Sequence, residues 1–257
     1  IKFYIELIMP DYKAIHGKNI QHLASDLDNA EGEGQIWFNT TSSDYKTIVK
    51  ATGAWATGGA LNTAREFVVA VGTQTAGLAF SGDPPNLAVT EEYNGTTWAE
   101  QDDLITARRE AAGAGTQTAG LCIGGLVSPA TYKDICETYD GSSWSETGDL
   151  NTARRSLAGT GIQTAALAIG GDTPGVTDVA ESFNGTSWSE TGDLNTARKA
   201  TAAGAGTTTA ALVAGGFATA ATAIAETFDG SSWTEVADLN TARDQLAGCG
   251  PVSSAVI

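Results

Sequence analysis

Residues 137–154 read Glu-Thr-Tyr-Asp-Gly-Ser-Ser-Trp-Ser-Glu-Thr-Gly-Asp-Leu-Asn-Thr-Ala-Arg, and this stretch decides the fold because the chain repeats it. Close copies occupy residues 181–198 and 226–243, a looser copy occupies 91–108, and a partial copy runs from Trp55 to Arg65. Successive copies are 43 to 46 residues apart. A fixed period of this size indicates a repeat architecture, in which each copy folds as one supersecondary unit.

Each copy contains the residues of four short strands. After Arg154, a small-residue run at 156–161 precedes an apolar run at 164–171 that ends in a glycine pair. An alternating segment, 178–184, then leads through Asn184-Gly185 to a strand around Trp188. Asn-Gly and Asp-Gly predict tight two-residue hairpin turns, in which both residues have positive φ. We therefore predict a four-stranded antiparallel meander of about 45 residues per repeat, the size of a propeller blade.

The order of residues within each copy resembles a kelch repeat. That order is an apolar run into a glycine pair, an aromatic residue, a tryptophan, a leucine and an arginine: Gly124-Gly125, Tyr139, Trp144, Leu150 and Arg154 in one copy. The match covers residues 55–257, with Ser81-Gly82 replacing one glycine pair and Phe183 and Phe228 replacing the tyrosine. The nearly verbatim N-T-A-R and G-T-Q-T-A strings also resemble kelch-type proteins of marine phages. These resemblances imply a β-propeller and a virion or tail-associated role.

The predicted fold is therefore all-β, with a kelch-like propeller at residues 51–257 and a leader at residues 1–50. Four complete blades are expected at residues 65–101, 108–147, 154–191 and 198–236. A fifth blade stops before its third strand, and since natural proteins avoid unpaired sheet edges, we expect a truncated chain. Its full form would carry at least five blades, with six or seven favoured.

The leader contains a predicted β-hairpin over residues 35–49. The string from Gly34 to Thr40, Gly-Gln-Ile-Trp-Phe-Asn-Thr, resembles a short hairpin segment of phage tail-fibre and related virion proteins. Met9 is the only methionine, and we expect it to be the natural start. His16 and His22 have no third candidate ligand nearby, so no metal site is predicted there.

Composition limits the partners and the compartment. Thirty acidic residues against 14 basic ones give a net charge of −16, which disfavours nucleic acid and anionic membranes. No apolar run reaches the roughly 18 residues of a membrane span, and no signal peptide is recognised. The localisation stays open, with a virion or extracellular setting favoured. Cys122 and Cys136 are expected on neighbouring strands, where they form either a disulfide or two buried thiols.

Residues that recur once per copy are predicted to be structural, because a catalytic group is needed once and a packing group is needed in every blade. The recurring tryptophans are Trp55, Trp98, Trp144, Trp188 and Trp233, and the leucines are Leu104, Leu150, Leu194 and Leu239. The recurring charges are Arg65, Arg108, Arg154, Arg198 and Arg243, with Glu91, Glu137, Glu181 and Glu226. We expect each arginine to bind a glutamate or loop carbonyls, since a buried guanidinium must be satisfied.

Variable segments follow the glycine pairs, at residues 83–90, 126–136, 172–180 and 217–225. Strand alternation puts them at the same end of the blades as the Leu-Asn-Thr-Ala-Arg connections. The Gly-Thr-Gln-Thr and Asn/Asp-Gly turns lie at the opposite end. Loops on a rigid scaffold often bind ligands, so a binding surface is predicted at Tyr132, Lys133, Phe217 and Asn86. Local packing over the blade end is the alternative role for these residues.

The predicted function is a non-enzymatic binding or structural module of a phage virion or tail, with a protein or glycan partner and other virion proteins as neighbours. No catalytic residues, cofactor or metal are predicted, because residues 55–257 contain no histidine and no Ser/His/Asp set. Two alternatives stay open: a glycan-active enzyme of sialidase or galactose-oxidase type, and a cellular kelch adaptor. A single asymmetric cluster of acid, tyrosine or arginine residues at the axis mouth would distinguish an enzyme.

Overall fold

The computed structural model describes residues 21–23, 36–41, 44–47, 57–199, 202–248, 250 and 252. It divides the chain into two units, Ile1–Thr57 and Gly58–Ile257. In the first unit, β1 (Gln21–Leu23) pairs in parallel with β2 (Ile36–Asn39), and β2 forms an antiparallel hairpin with β3 (Asp44–Thr47). The hairpin expected over residues 35–49 is therefore present. Predictions about Met9, His16 and Trp55 fall outside the described residues.

The second unit contains four antiparallel sheets of four strands, each built from consecutive strands. The first repeat sheet comprises β4 (Val69–Thr73), β5 (Ala76–Phe80), β6 (Thr90–Tyr93) and β7 (Trp98–Gln101). The second comprises β8 (Ala112–Thr116), β9 (Ala119–Val127), β10 (Thr131–Tyr139) and β11 (Trp144–Glu146). The third comprises β12 (Ala158–Ile162), β13 (Ala165–Asp172), β14 (Val176–Phe183) and β15 (Trp188–Glu190). The fourth comprises β16 (Ala202–Thr207), β17 (Ala210–Ala214), β18 (Ala225–Phe228) and β19 (Trp233–Val236). The predicted meanders are confirmed, and the described residues contain no α-helix.

The first strands of consecutive repeat sheets lie side by side. Strand β8 contacts both β4 and β12, and β12 also contacts β16. Glycine permits this approach: a Cβ atom on Gly159 would lie 2.7 Å from the carbonyl oxygen of Gly113 in the preceding sheet. Small residues in the first strands therefore allow neighbouring sheets to approach closely. The arrangement is consistent with a propeller-like all-β fold.

The recurring tryptophans pack between repeat sheets. The ring of Trp144 lies 4.8 Å from that of Phe80 in the preceding sheet and 5.1 Å from that of Tyr139 in its own. Its indole N–H donates a hydrogen bond to the Thr90 hydroxyl at 2.9 Å. Trp188 and Trp233 are buried in the same way. The aromatic rows thus belong to the hydrophobic core that joins one sheet to the next.

The expected arginine–glutamate ion pairs are observed in all four repeat sheets. Arg65 pairs with Glu91 at 3.0 Å, Arg154 with Glu181 at 3.1 Å, Arg198 with Glu226 at 2.5 Å, and Arg108 with Glu137. These eight side chains are fully buried. Arg243, the last arginine of the row, is exposed. A buried charge without its partner is strongly destabilising, so the pairs hold the repeats in one geometry.

Arg108, Arg154 and Arg198 also connect two consecutive sheets. The backbone carbonyl of Arg154 accepts a 2.9 Å hydrogen bond from Gly125 in the second repeat sheet, while its side chain binds Glu181 in the third. Glu181 in turn accepts a 2.8 Å hydrogen bond from the backbone N–H of Asn151. The Leu-Asn-Thr-Ala-Arg connection is therefore held at both sides, which explains why it recurs almost unchanged.

A glutamine in the turn between the first two strands also joins neighbouring sheets through hydrogen bonds. The Gln163 amide donates to the carbonyls of Gly120 and Tyr139 in the preceding sheet, at 3.0 and 2.6 Å. Gln117 makes the equivalent bonds one repeat earlier. In the fourth repeat sheet this position is Thr208. The Gly-Thr-Gln-Thr turns are thus repeated because they fasten one sheet to another.

The Asn-Gly and Asp-Gly turns differ from the prediction. Tyr93 pairs with Trp98, so the loop has four residues rather than two. Its Asn94 side-chain oxygen accepts hydrogen bonds from the backbone N–H groups of Thr96 and Thr97. Only the glycine, Gly95, has positive φ in this loop. The side chain thus satisfies the loop's N–H groups, a role that Asn and Asp commonly play in turns.

Cys122 and Cys136 are free and buried, on neighbouring strands as expected. Cys122 lies opposite Glu137, one residue out of register with Cys136. Because successive side chains in a strand point to opposite faces, the two thiols enter different core clusters. Burial raises the pKa of Cys122 to about 11 and that of Cys136 to about 12.

Candidate functional site

One end of each repeat sheet is extended by an isolated β-bridge. The bridge joins the residue after the recurring arginine to the residue after the glycine pair: Glu66–Asp83, Arg109–Leu126, Arg155–Asp172 and Lys199–Phe217. These positions differ in chemistry from repeat to repeat, although their backbone geometry is shared. The bridges therefore bring variable side chains from the connection and from the following segment to the same end of the sheets, as the strand alternation predicted.

An open cavity of about 770 Å³ lies at this end. All four repeat sheets and the start of the fifth repeat contribute to its lining. We call it the charged mouth, and its main polar and aromatic residues are Glu66, Phe67, Glu110, Arg155, Ser156, Lys199, Phe217, Asp244 and Gln245. In the first four repeats the lining residues precede the first strand, except for Phe217, which follows a glycine pair.

A chain of ion pairs runs along the charged mouth. The Arg155 guanidinium lies between two carboxylates, 3.0 Å from Glu110 and 2.9 Å from Asp172. Asp172 also accepts from the Lys199 ammonium at 3.3 Å. The Ser156 hydroxyl donates to Glu110 at 2.5 Å. The cations are one-quarter to one-third exposed, whereas Asp172 is nearly buried, so the network has a buried acidic centre and solvent-facing basic groups.

The network shifts the pKa values of its two central members. Burial opposes ionisation of Asp172, but hydrogen bonding from Arg155 and the charge of Lys199 outweigh burial, so its pKa lies below the ordinary value. For Arg155, burial again acts against the charged form. The hydrogen bond to Asp172 and the charge of Glu110 nevertheless raise its pKa. Both groups are therefore held in their charged forms at neutral pH.

Two of the sequence-predicted binding residues join this network. The Tyr132 hydroxyl donates to Asp172 at 3.4 Å, and the Arg155 guanidinium lies 5.5 Å from the centre of its ring. Phe217 lines the charged mouth, with the Lys199 ammonium 6.0 Å from its ring centre. Cations over aromatic rings are attracted by the ring's π face. Both aromatic residues thus pack beneath basic groups of the mouth.

The other two predicted residues lie beside the network. Asn86 accepts a 3.2 Å hydrogen bond from the backbone N–H of Ser128, which ties the variable segments of the first two repeat sheets together. Lys133 pairs with Gly125 within strand β10, and its side chain is partly exposed. Tyr132 and Lys133 were predicted in a loop, which is wrong, because pairing of β9 with β10 continues past the glycine pair to Val127–Thr131.

A row of residues with left-handed backbone surrounds the charged mouth. It occupies the second position after the recurring arginine: Phe67, Glu110, Ser156 and Gln245, with φ of 53°, 53°, 52° and 54°. None of the four is glycine, the residue that adopts this conformation without steric penalty. All four line the mouth. We call these residues the left-handed row.

Sequence reasoning missed Arg155, Asp172, Lys199 and the left-handed row. The neighbours of the recurring arginines vary between acidic and basic residues from copy to copy. The usable signal was the contrast itself: after the invariant arginine the next residue is Glu66, Arg109, Arg155, Lys199 or Asp244. Such variation directly beside an invariant position suggests a shared backbone that carries different side chains.

Comparison with protein-family models finds no match, and comparison with curated proteins finds no similar sequence. Among the described residues, no group of three or more His, Cys, Asp or Glu side chains has a geometry suited to a metal ion. The described part of the chain also contains no helix that is long and apolar enough to cross a membrane.

Proposed function

We propose that the chain is a kelch-type, propeller-like repeat protein that acts as a non-enzymatic binding module, with its partner held at the charged mouth. One observation carries the proposal: side chains that differ between copies converge on a single cavity. The side chains that recur lie instead between the sheets. A cavity of about 770 Å³ lies within the size range of small-ligand sites, roughly 300–1,000 Å³.

The proposed partner is a host-surface glycan or a protein, contacted through the mouth and through Tyr132, Lys133, Phe217 and Asn86. The surface position of Lys133 and the partial exposure of Arg155 and Lys199 support such contacts. A role in a phage virion or tail is also proposed, and it rests on the sequence resemblance alone. The net charge of −16 supports a partner other than nucleic acid.

Binding to immobilised glycans and to intact cell surfaces tests the proposal. We expect the combined Tyr132→Ala, Lys133→Ala and Phe217→Ala variant to lose binding while its melting temperature falls only slightly. Thr118→Ala and Thr164→Ala are matched controls, because both residues are exposed in turns at the opposite end of the sheets. Loss of binding in these controls, with the mouth variant unaffected, would place the binding surface at the turn end of the sheets instead of at the charged mouth.

A glycan-active enzyme is a second candidate, favoured by the single asymmetric cluster in which Tyr132, Asp172, Glu110 and Arg155 meet. Acid catalysis needs a carboxyl group that holds a proton near neutral pH. The pKa of Asp172 is shifted in the other direction, which supports binding rather than proton transfer. Sustained release of a fluorophore from glycoside substrates, abolished by Asp172→Asn, would favour the enzyme instead.

A further inference from the structure

We infer that the left-handed row selects the ligand of the charged mouth, and that this ligand is a saccharide without acidic groups. The inference rests on the proposed function, because it requires a ligand at the mouth. It adds which residues recognise that ligand and what chemistry they recognise.

The first argument is the backbone strain of the row. A residue with a Cβ atom is disfavoured at a φ near 53°, yet Phe67, Glu110, Ser156 and Gln245 all carry side chains there. Glycine would give the same backbone without the penalty. Strained positions of this kind cluster at ligand sites, where the side chain is needed. Four such positions around one cavity indicate that the side chains serve the mouth rather than the fold.

The second argument is that two members of the row contribute little to packing. Phe67 is 44 % exposed, and Gln245 is exposed without a hydrogen bond to any other described residue. Glu110 accepts hydrogen bonds from the Ser156 hydroxyl and from the Arg155 guanidinium. The row therefore presents an aromatic ring, a carboxylate, a hydroxyl and an amide to a common space.

This combination matches the chemistry of sugars. Saccharide hydroxyls both donate and accept hydrogen bonds, so they can satisfy a carboxylate, an amide and a hydroxyl together. An exposed aromatic ring such as Phe67 offers a flat apolar surface to the carbon–hydrogen face of a sugar ring. The cavity volume of about 770 Å³ suits a short oligosaccharide.

The charges of the mouth argue against an acidic sugar. Arg155 and Lys199 are already paired with Glu110 and Asp172. Glu66 and Asp244 line the same cavity, and neither forms an ion pair with another described residue. The whole chain carries a net charge of −16. A further carboxylate would therefore enter a negative potential, with no unpaired cation among the described lining residues to meet it.

The experiment applies the labelled full chain to an array of neutral, N-acetylamino and uronic- or sialic-acid-bearing oligosaccharides, and then titrates the best binder by calorimetry. We expect retention by neutral or N-acetylamino sugars and none by the acidic ones. Phe67→Gly and Gln245→Gly should each weaken binding by about tenfold or more, while the melting temperature stays the same or rises because strain is relieved. Phe67→Ala should weaken binding without that rise.

Ser81→Gly is the matched control. Ser81 also has a left-handed backbone, with φ of 66°, but it is buried away from the charged mouth and its hydroxyl donates to the Arg108 carbonyl. Its replacement should leave sugar affinity unchanged. Retention of acidic sugars alone would contradict the charge argument.

Separate outcomes address the inference and the proposed function. If the wild-type chain binds sugar and Lys199→Ala weakens binding while the row variants do not, the row has no recognition role and the mouth remains the site. If no oligosaccharide is retained, a saccharide ligand is excluded and the mouth would have to bind a protein. If the row variants lower the melting temperature, their side chains serve the fold.

Discussion

The two ends of the first strands in the repeat sheets differ in what they keep and what they vary. At the turn end, a cavity of about 530 Å³ is lined mostly by glycine and other small residues that recur, such as Gly115, Gly161 and Gly206. At the other end, the charged mouth is lined by acidic, basic and aromatic side chains that vary between repeats. The isolated bridges and the left-handed row keep their backbone geometry from repeat to repeat, so at these positions the difference lies in the side chains.

This contrast separates two kinds of constraint. Residues that join sheet to sheet must fit the same neighbour in each repeat, and they therefore recur. A ligand meets each repeat from a different direction, so the residues around it have no reason to be alike. The predictions below test whether stability belongs to the recurring set and recognition to the variable set.

The largest expected effect follows from breaking a buried ion pair. Arg154→Ala leaves Glu181 charged in the core, and we expect the free energy of unfolding to fall by about 3–5 kcal/mol. Arg155→Ala, at the next residue and partly exposed, should lower it by about 1 kcal/mol or less. Urea denaturation followed by tryptophan fluorescence measures both. If both variants lose the same free energy of unfolding, the recurring residues contribute no more to stability than the variable ones.

A smaller effect is expected in the turns. Gln163→Ala removes two hydrogen bonds to the preceding sheet and should destabilise the protein by about 1–2 kcal/mol. Thr208→Gln restores the missing glutamine in the fourth repeat sheet and should raise the melting temperature, with Thr209→Gln as the control one residue away. If Thr208→Gln destabilises the protein, the fourth sheet does not have the geometry of the others.

A third test concerns the tryptophan row. Trp144 has the Thr90 hydroxyl as a hydrogen-bond partner, whereas the buried N–H of Trp188 has no partner among the described residues. Cys136 occupies the equivalent position in the sheet before Trp188. Cys136→Thr should therefore stabilise the protein by about 1 kcal/mol, and Cys136→Val is the control of similar shape. Equal melting temperatures for the two variants would argue against the new bond.

The smallest effect is the pH dependence that comes from Asp172. Its folded-state pKa lies below the ordinary value of 3.8, so its contribution to stability is present above that value and is lost as pH falls through the folded pKa. Between pH 5 and pH 3 the wild type should therefore lose more stability than Asp172→Asn. Thermal unfolding across this range checks the sign, and parallel curves would show that Asp172 is not held ionised by Arg155 and Lys199.

The repeat made much of the fold predictable. Recurring tryptophan, arginine and glutamate positions identified the structural residues, and four-stranded sheets followed from the turn and strand signals. Two details were wrong, because local sequence patterns do not show which backbone groups a side chain will bind or how far strand pairing extends. Asn94 and Asp140 each accept hydrogen bonds from N–H groups of their own four-residue loop. Strand β10 begins at Thr131 because its pairing with β9 continues beyond an irregularity opposite the glycine pair.

The sequence by itself determined the repeat, the four-stranded unit and the set of residues that join neighbouring units, because each of these depends on a pattern that recurs along the chain. Only the tertiary structure decided that Arg155, Asp172 and Lys199 share one network and that Phe67 and Gln245 line the same cavity. Arg155 and Asp172 come from the third repeat, whereas Lys199, Phe67 and Gln245 come from three other repeats. Their proximity arises from the packing of first strands side by side, which no local pattern encodes.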